Sequence, residues 1–325
     1  MAESSANHVV GKRSLRADSY QCGSLQLSLC ASTLFYVALS LSCAIKILNM
    51  SLSSHLPLSP QSMFLVVWRQ RHLIWQMTRR EIVGRYQGSI MGVLWSFLNP
   101  LCMLLVYTFV FSVVFQSHWG KDSPGGRGSF ALILFAGLMT FSVFSEAITR
   151  APGLVTSNVN YVKKVVFPLE ILPIISLASV LFHALISFVI LMLAFCLIVG
   201  MPSMTVLFFP LVLAPLVFFV LGVSWVLASI GVYLRDVQQT MTLLVTVTMF
   251  MTPIFYPLDA LPMSFRRYLE FNPMTYFVDE ARRVLVFGQP PHWPSLAIAL
   301  PLSVGVAYLG YLWFQKTRPG FSDVL

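Results

Sequence analysis

The sequence predicts an all-α integral membrane protein with six transmembrane helices, an N-terminal interfacial amphipathic helix and a re-entrant helical hairpin before the last span. Three observations predict it. The 325 residues are 57% apolar and 10% charged, with a mean hydropathy of +0.78, a composition suited to the bilayer rather than to water. Apolar runs of near-spanning length recur along the chain, and arginines and lysines cluster at alternate ends of those runs.

Residues 1–62 form an N-terminal extension whose stretch 25–48 is moderately apolar but serine-rich and interrupted by Lys46. It reads as an extra span, as a signal-like segment or, preferably, as the product of an over-long start, with translation beginning at Met50 or Met63. A retained span here would make seven and put the N-terminus outside.

Residues 63–88 follow as an amphipathic helix. Phe64, Leu65, Val67, Trp68, Leu73, Ile74, Trp75, Met77 and Ile82 recur at helical spacing among Arg69, Arg71, Arg79, Arg80 and Arg85. Tryptophans on one face and arginines on the other suit the cytoplasmic headgroup region, or the surface of a partner subunit. The glycines Gly84, Gly88 and Gly92, four apart, predict close backbone approach where this helix turns into the first span.

The hydrocarbon core, about 30 Å thick, takes roughly 20 apolar residues per helix. Runs at 90–115, 130–148, 171–199, 204–233, 238–255 and 295–314 come up to that length. Pro100 lies inside the first and predicts a kink. An even number of spans puts both ends of residues 89–325 on one side. Arg79, Arg80, Arg85, Arg150, Lys163, Lys164, Arg235, Lys316 and Arg318 fall on that side and mark it as cytoplasmic. The opposite side holds a glycine-rich loop at 124–128, the turn 201–203 and the longer stretch before the last span.

Two connections stand out. Segment 152–168, bounded by Pro152 and Pro168, is polar enough to leave the membrane and predicts a short cytoplasmic helical turn exposing Lys163 and Lys164. It is either a coupling loop or a simple positive-inside anchor. Segment 258–290 is too interrupted to span. It predicts two short helices, around 263–270 and 275–286, split by Asn272 and Pro273, a good cap and first-turn pair. Asp279 and Arg283, four apart, are placed to pair on a solvated face.

Several function classes are excluded. No G-x-x-x-x-G-K-[ST] phosphate loop occurs: Gly11-Lys12 and Gly120-Lys121 are followed by Arg13 and Asp122. The net charge of +9 sits in clusters between apolar runs, the pattern of a membrane protein and not of a nucleic-acid binder. The five cysteines show no metal-ligand spacing and read as small hydrophobes, so neither a metal site nor a catalytic residue is expected. His183 lies within the third run and reads as a satisfied hydrogen bond between helices. Glu146 stands four residues before Arg150, and Glu170 follows Lys163 and Lys164, so ion pairing accounts for both carboxylates.

Aromatic residues in the runs include Tyr107, Phe111, Phe115, Phe141, Phe144, Trp225 and Tyr233. Most serve packing; those facing a conduit would give flat walls on which sugar rings slide.

The stretch MTRREIVGRYQGSIMGVLWSFLNPL at 77–101 resembles the start of ABC-2 type permeases that export polysaccharides such as O-antigen, capsule and teichoic acid. So do NVNYVKKVVFPLEILP at 158–173, YLRDV at 233–237, NPMTYFVDEARRVLVFG at 272–288 and the terminal PGFSDVL. The resemblance covers 63–325, in order and with matching spacing. It implies a multi-pass homodimer in the cytoplasmic (inner) membrane, paired with two copies of a separate cytoplasmic ATPase that binds ATP and Mg and exporting a lipid-linked polysaccharide. The permease itself would have no cofactor and no enzymatic activity. It further implies that Arg79, Arg80, Glu81, Arg85, Asn158, Asn160, Tyr161, Lys163 and Lys164 contact the ATPase or gate the cytoplasmic entrance. The aromatic set above would line the channel, and Arg266, Arg267, Asp279, Glu280 and Arg283 would belong to an outer gate. Two rival readings are an ABC-2 permease for a lipid or amphipathic drug and an integral membrane transferase.

Overall fold

The computed structural model describes residues 60–110, 129–163, 167–257 and 271–325, together with Pro262, Arg266 and Leu269. Residues 1–59, Phe111, Phe115, the glycine-rich loop, Lys164, Arg267 and the side chain of Lys163 lie outside the described residues, as does most of the first hairpin helix. All regular structure among the described residues is helical. Two helices open the chain, α1 (Pro60–Arg69) and α2 (Arg71–Arg85), and α3 (Trp95–Tyr107) and α4 (Ser129–Arg150) follow. Short α5 (Gly153–Thr156) and α6 (Val159–Lys163) lead into α7 (Leu172–Ile198), α8 (Phe209–Tyr233) and α9 (Val237–Met251). The chain closes with α10 (Pro273–Leu285), α11 (Trp293–Thr317) and α12 (Phe321–Val324).

Among the described residues four helical stretches are long and apolar enough to cross a membrane: Phe130–Arg150, Leu169–Ile198, Met204–Tyr233 and Trp293–Val324. They fall on the second, third, fourth and sixth expected runs. The first and fifth runs coincide with shorter apolar helices, Trp95–Val110 and Val237–Met251. Proline sets several boundaries. Pro173, Pro210 and Pro294 stand in the first turns of α7, α8 and α11, where a missing N–H costs nothing, while Pro100, Pro215 and Pro301 lie inside helices.

The glycines at the elbow act differently from the expectation. α2 ends at Arg85, and Gly88 (φ +88°) and Gly92 (φ +52°) sit in the turn beyond it with open space where a Cβ would be. They supply left-handed backbone, not close packing. Close packing occurs instead between α8 and α11, where a Cβ on Gly310 would collide with the carbonyl oxygen of Gly222. There the two backbones touch, as small residues permit in lipid.

The core joins α4, α7, α8 and α11 around Trp225, which is fully buried, packs edge-on against Tyr311 and donates its Nε1–H to Glu170 O at 3.0 Å. A second apolar cluster joins α3, α4 and α7 to Val284 and Leu285 of α10. The C-terminus is tied down: Phe321 is fully buried against Phe314 and Tyr233, and Tyr233 Oη donates to Thr317 O at 3.2 Å.

Candidate functional site

Charged side chains form networks at the two ends of the helix bundle. At the basic end, Arg150 closes α4 and donates to Glu81 Oε1 at 3.2 Å. It also reaches Glu146 Oε1, one turn back on its own helix, at 2.9 Å. Arg85 of α2 donates to the same Glu146 oxygen. Two carboxylates and two guanidiniums thus neutralise one another and fasten α2 to the end of α4. Burial pushes the Glu81 carboxyl above the usual carboxylate range; Arg85 draws it down, and the charge of Glu146 adds to the rise.

A second fastening follows immediately. His183 Nδ1 faces the carbonyl oxygen of Ser179 at 2.7 Å and therefore carries the proton, so Nε2 accepts from the hydroxyl of Tyr86 at 2.8 Å. The ring of Tyr86 stacks on the imidazole. This is the satisfied contact that the isolated histidine suggests. α2 is therefore anchored to α4 by charge and to α7 by a hydrogen bond, and Thr78 is its buried residue.

The connection between α4 and α7 forms two short helices in place of one turn. A Cβ on Gly231 would collide with Pro152 O, so the loop is rooted against the end of α8. Asn158 donates from Nδ2 to Leu154 O at 2.9 Å, closing α5, and Tyr161 stacks on Phe167 with centroids 4.5 Å apart. Asn160, Arg79 and Arg80 are exposed. The partner of Glu170 is Arg318, 2.8 Å away, whose second nitrogen donates to Phe167 O at 3.2 Å. This pair joins the loop to the C-terminus, whereas Lys164 and the side chain of Lys163, the partners that proximity in sequence suggests, lie outside the described residues.

At the opposite end α10 is inserted between helix ends. Asn272 caps it as expected, its Oδ1 accepting from Met274 N at 3.0 Å, with Pro273 in the first turn. The Asn272 Nδ2 also donates to Thr252 Oγ1 at 3.1 Å, binding the hairpin to the end of α9. Arg282 is the central side chain. It is 1% exposed and donates through Nε to Ile133 O at 3.1 Å, Nη1 to Pro253 O at 2.6 Å and Nη2 to Ile254 O at 2.6 Å, with Asp279 3.7 Å away. One guanidinium thus joins the start of α4 to the unwound segment after α9. Glu280, also buried, accepts from His292 N at 3.1 Å and so holds the entry to α11. Arg283 donates to Pro290 O at 2.8 Å in place of the expected pairing with Asp279. Arg266 is half-buried.

Arg282 was not among the residues that sequence reasoning singled out, although a signal exists. It falls in the stripe Val278, Ala281, Arg282, Leu285, whose spacing marks one buried helix face. The expected channel aromatics divide. Trp225 and Phe141 are buried in the core, which leaves them no face for a conduit within this chain, and Tyr233 serves the C-terminal contact. Tyr107 and Phe144 are half-buried.

Sequence reasoning read α9 only as an apolar run and passed over its threonines. Its residues Thr240, Thr242 and Thr246 are exposed, each hydroxyl bonded to the carbonyl one turn earlier. The four-residue interval between Thr242 and Thr246 is the signal that could have found this face. Among the described residues no group of three His, Cys, Asp or Glu side chains could hold a metal.

Four long apolar helices, a capped helix α10 set against the helix ends and charged fastenings at the ends of the bundle, in a sequence without a phosphate loop, are the features of a helical membrane protein. The chain belongs to the ABC-2 type transporter family, whose pattern matches residues 72–286. It is thus a multi-pass protein of the cytoplasmic membrane, and nucleotide hydrolysis falls to a partner ATPase. It is 30% identical over 264 residues to the O-antigen export system permease protein RfbA of Myxococcus xanthus, covering 79% of this chain and 96% of that one. With the protein of the same name from Klebsiella pneumoniae it shares 25% identity, over 77% and 93% of the two chains. The polysialic acid transport protein KpsM of Escherichia coli is 24% identical, over 74% and 90%.

Proposed function

We infer that the chain is the membrane permease of an ABC transporter that exports a polysaccharide across the cytoplasmic membrane, driven by a separate ATPase subunit. The observation that carries this reading is the match to named O-antigen and polysialic acid export proteins over at least nine-tenths of their own lengths. α3 and α9 complete a set of six spans, and two copies of the chain assemble with two ATPase subunits. α3 exposes large apolar residues such as Phe97 and Leu105, and α9 exposes Leu243 and Phe250 on the helix that also carries the exposed threonines. Such mixed faces suit a conduit between copies better than lipid: hydroxyls and aromatic edges meet a hydrated polymer, and Tyr107 stands at that wall. The polymer is carried on a lipid.

At the cytoplasmic end, residues 63–88 form the interfacial helix and 152–168 the coupling loop. Arg79, Arg80 and Asn160 are open to the ATPase, while Glu81, Arg85, Asn158 and Tyr161 relay its movement to α4 and α7. An ATPase can bias the permease only through contacts that differ between its two states, and these surfaces meet that need. Segment 258–290 closes the outer exit, with Arg282 rather than Arg283 as its fixed point.

The test is deletion of the gene in its host, complementation from starts at Met1, Met50 and Met63, and comparison of surface polysaccharide with the intracellular pool. Loss at the surface with accumulation inside is the expected result. An unchanged surface without accumulation overturns the reading in favour of a lipid or drug exporter.

A further inference from the structure

The Glu81–Arg150 network is not the only feature at the cytoplasmic end. α1 lies across α7 and α8 and encloses with them a crevice of about 750 Å³, within the roughly 300–1,000 Å³ range of small-molecule sites. Its walls are apolar and include Met63 and Trp68 of α1, Leu177 and Ala178 of α7, and Val217 and Leu221 of α8. The α7 walls lie in that helix's first turns, near Glu170, and so in the cytoplasmic half of the bilayer. An apolar space bordered by hydrocarbon does not fill with water, which finds no polar partner there.

The mouth has a different chemistry. The chain bends at Gln70 between α1 and α2, and Arg69 and Arg71 flank the bend, both exposed and without an ion pair to any described residue. The Arg71 guanidinium lies 5.0 Å from the centroid of the Trp68 ring, the residue that also lines the crevice. Tryptophan and arginine together at the edge of an apolar slot present an interfacial anchor beside an anion-binding pair.

We propose that this crevice binds one acyl chain of an anionic glycerophospholipid from the cytoplasmic leaflet, with the headgroup phosphate held by Arg69 and Arg71. The inference rests on the chain's being a membrane protein and not on the identity of the exported substrate. Because α1 runs through the bend into α2, and α2 carries Glu81 and Arg85 and is followed directly by Tyr86, a lipid seated there steadies the helix that contacts α4 and α7. Leaflet composition thereby sets how firmly the interfacial helix is held.

The test uses the full chain assembled with its ATPase in phosphatidylcholine nanodiscs doped with phosphatidylglycerol that carries a diazirine in mid-chain; labelled peptides are read by mass spectrometry after illumination. Label is expected on the α7 segment containing Leu177 and the α8 segment containing Val217. It should fall about fivefold for each of Arg69→Gln and Arg71→Gln, both exposed positions remote from the core. Ala178→Trp should fill the crevice and abolish labelling, with thermal denaturation of the same sample distinguishing filling from misfolding. Label spread evenly over the outward-facing Leu185, Leu193 and Leu197 overturns the proposal. So does equal labelling by a phosphatidylcholine probe, or insensitivity to the arginine substitutions. Uptake of label by a chain starting at Met50 but not by the full chain would assign the crevice to the protein's own N-terminal segment, and also overturns it. Loss of polysaccharide export with labelling intact would bear on the substrate reading alone.

Discussion

Gly137 and Arg282 adjoin so closely that a Cβ on the glycine would stand 2.5 Å from Nη2 of the arginine. The glycine on α4 is the space into which the guanidinium of α10 is inserted. Its three carbonyl partners, Ile133, Pro253 and Ile254, come from two separate segments. A lysine has the charge but not the planar array of donors that reaches all three.

Arg282→Ala should therefore strand three buried acceptors and cost about 3 kcal/mol or more in stability, with Arg282→Lys recovering little. Gly137→Ala should destabilise by displacing the guanidinium. The double variant should lose less than the sum of the single losses, because the clash vanishes with the arginine. Thermal denaturation in detergent checks all three, and strict additivity would show that the two residues do not share one space.

Arg150→Ala should do more harm than Arg85→Ala, since Arg150 serves both Glu81 and Glu146. Export is expected to fall more steeply than folded protein, because what loosens is the joint between α2 and α4. Equal falls in membrane-inserted protein and in export would mark the network as structural only.

The upward shift of the Glu81 pKa has a definite consequence for stability. Its folded state holds a proton more tightly than the unfolded chain, so the associated stability is present at low pH and declines as pH rises through the folded value. In Glu81→Gln that decline is absent. The stability of the variant relative to the parent should therefore improve between about pH 4 and neutrality, which melting curves in detergent across that window would reveal.

Tyr86→Phe removes one hydrogen bond from His183 while leaving the stacked ring. A cost of about 0.6 kcal/mol is expected, the average for such bonds between membrane helices. A much larger loss in the denaturation midpoint would mean that the hydroxyl does more than satisfy Nε2.

Much of this arrangement is legible in the sequence. Hydropathy places α4, α7, α8 and α11, because span length is a physical requirement read directly from residue counts. Asn272 with Pro273 announces the start of α10, since capping depends on neighbours within three residues. What is not legible depends on residues distant in sequence. Glu170 lies beside two lysines, yet meets Arg318, 148 positions away. Gly84, Gly88 and Gly92 show the spacing of a packing motif, but Gly84 ends up in the last turn of α2 with open space around it and the other two in the turn beyond, whereas Gly222 and Gly310, which do touch, share no local signature. Arg282 and Arg283 are adjacent and chemically identical; only the angular position on the helix separates the buried clasp from the surface contact.

The contact between Gly222 and Gly310 has a mechanical consequence. It is reinforced farther along by Ser229 and Thr317, whose hydroxyls lie 2.6 Å apart, and by the bond from Tyr233 to Thr317. Helices α8 and α11 with the C-terminal turn thus form a single stator. Relative sliding within that pair would force backbone atoms through one another, so any movement that accompanies transport would have to be taken up elsewhere, at the elbow of Gly88 and Gly92 or at the unwound residues after α9. A bulky residue at Gly310 should jam assembly, whereas stiffening Gly88 should leave assembly intact and slow transport.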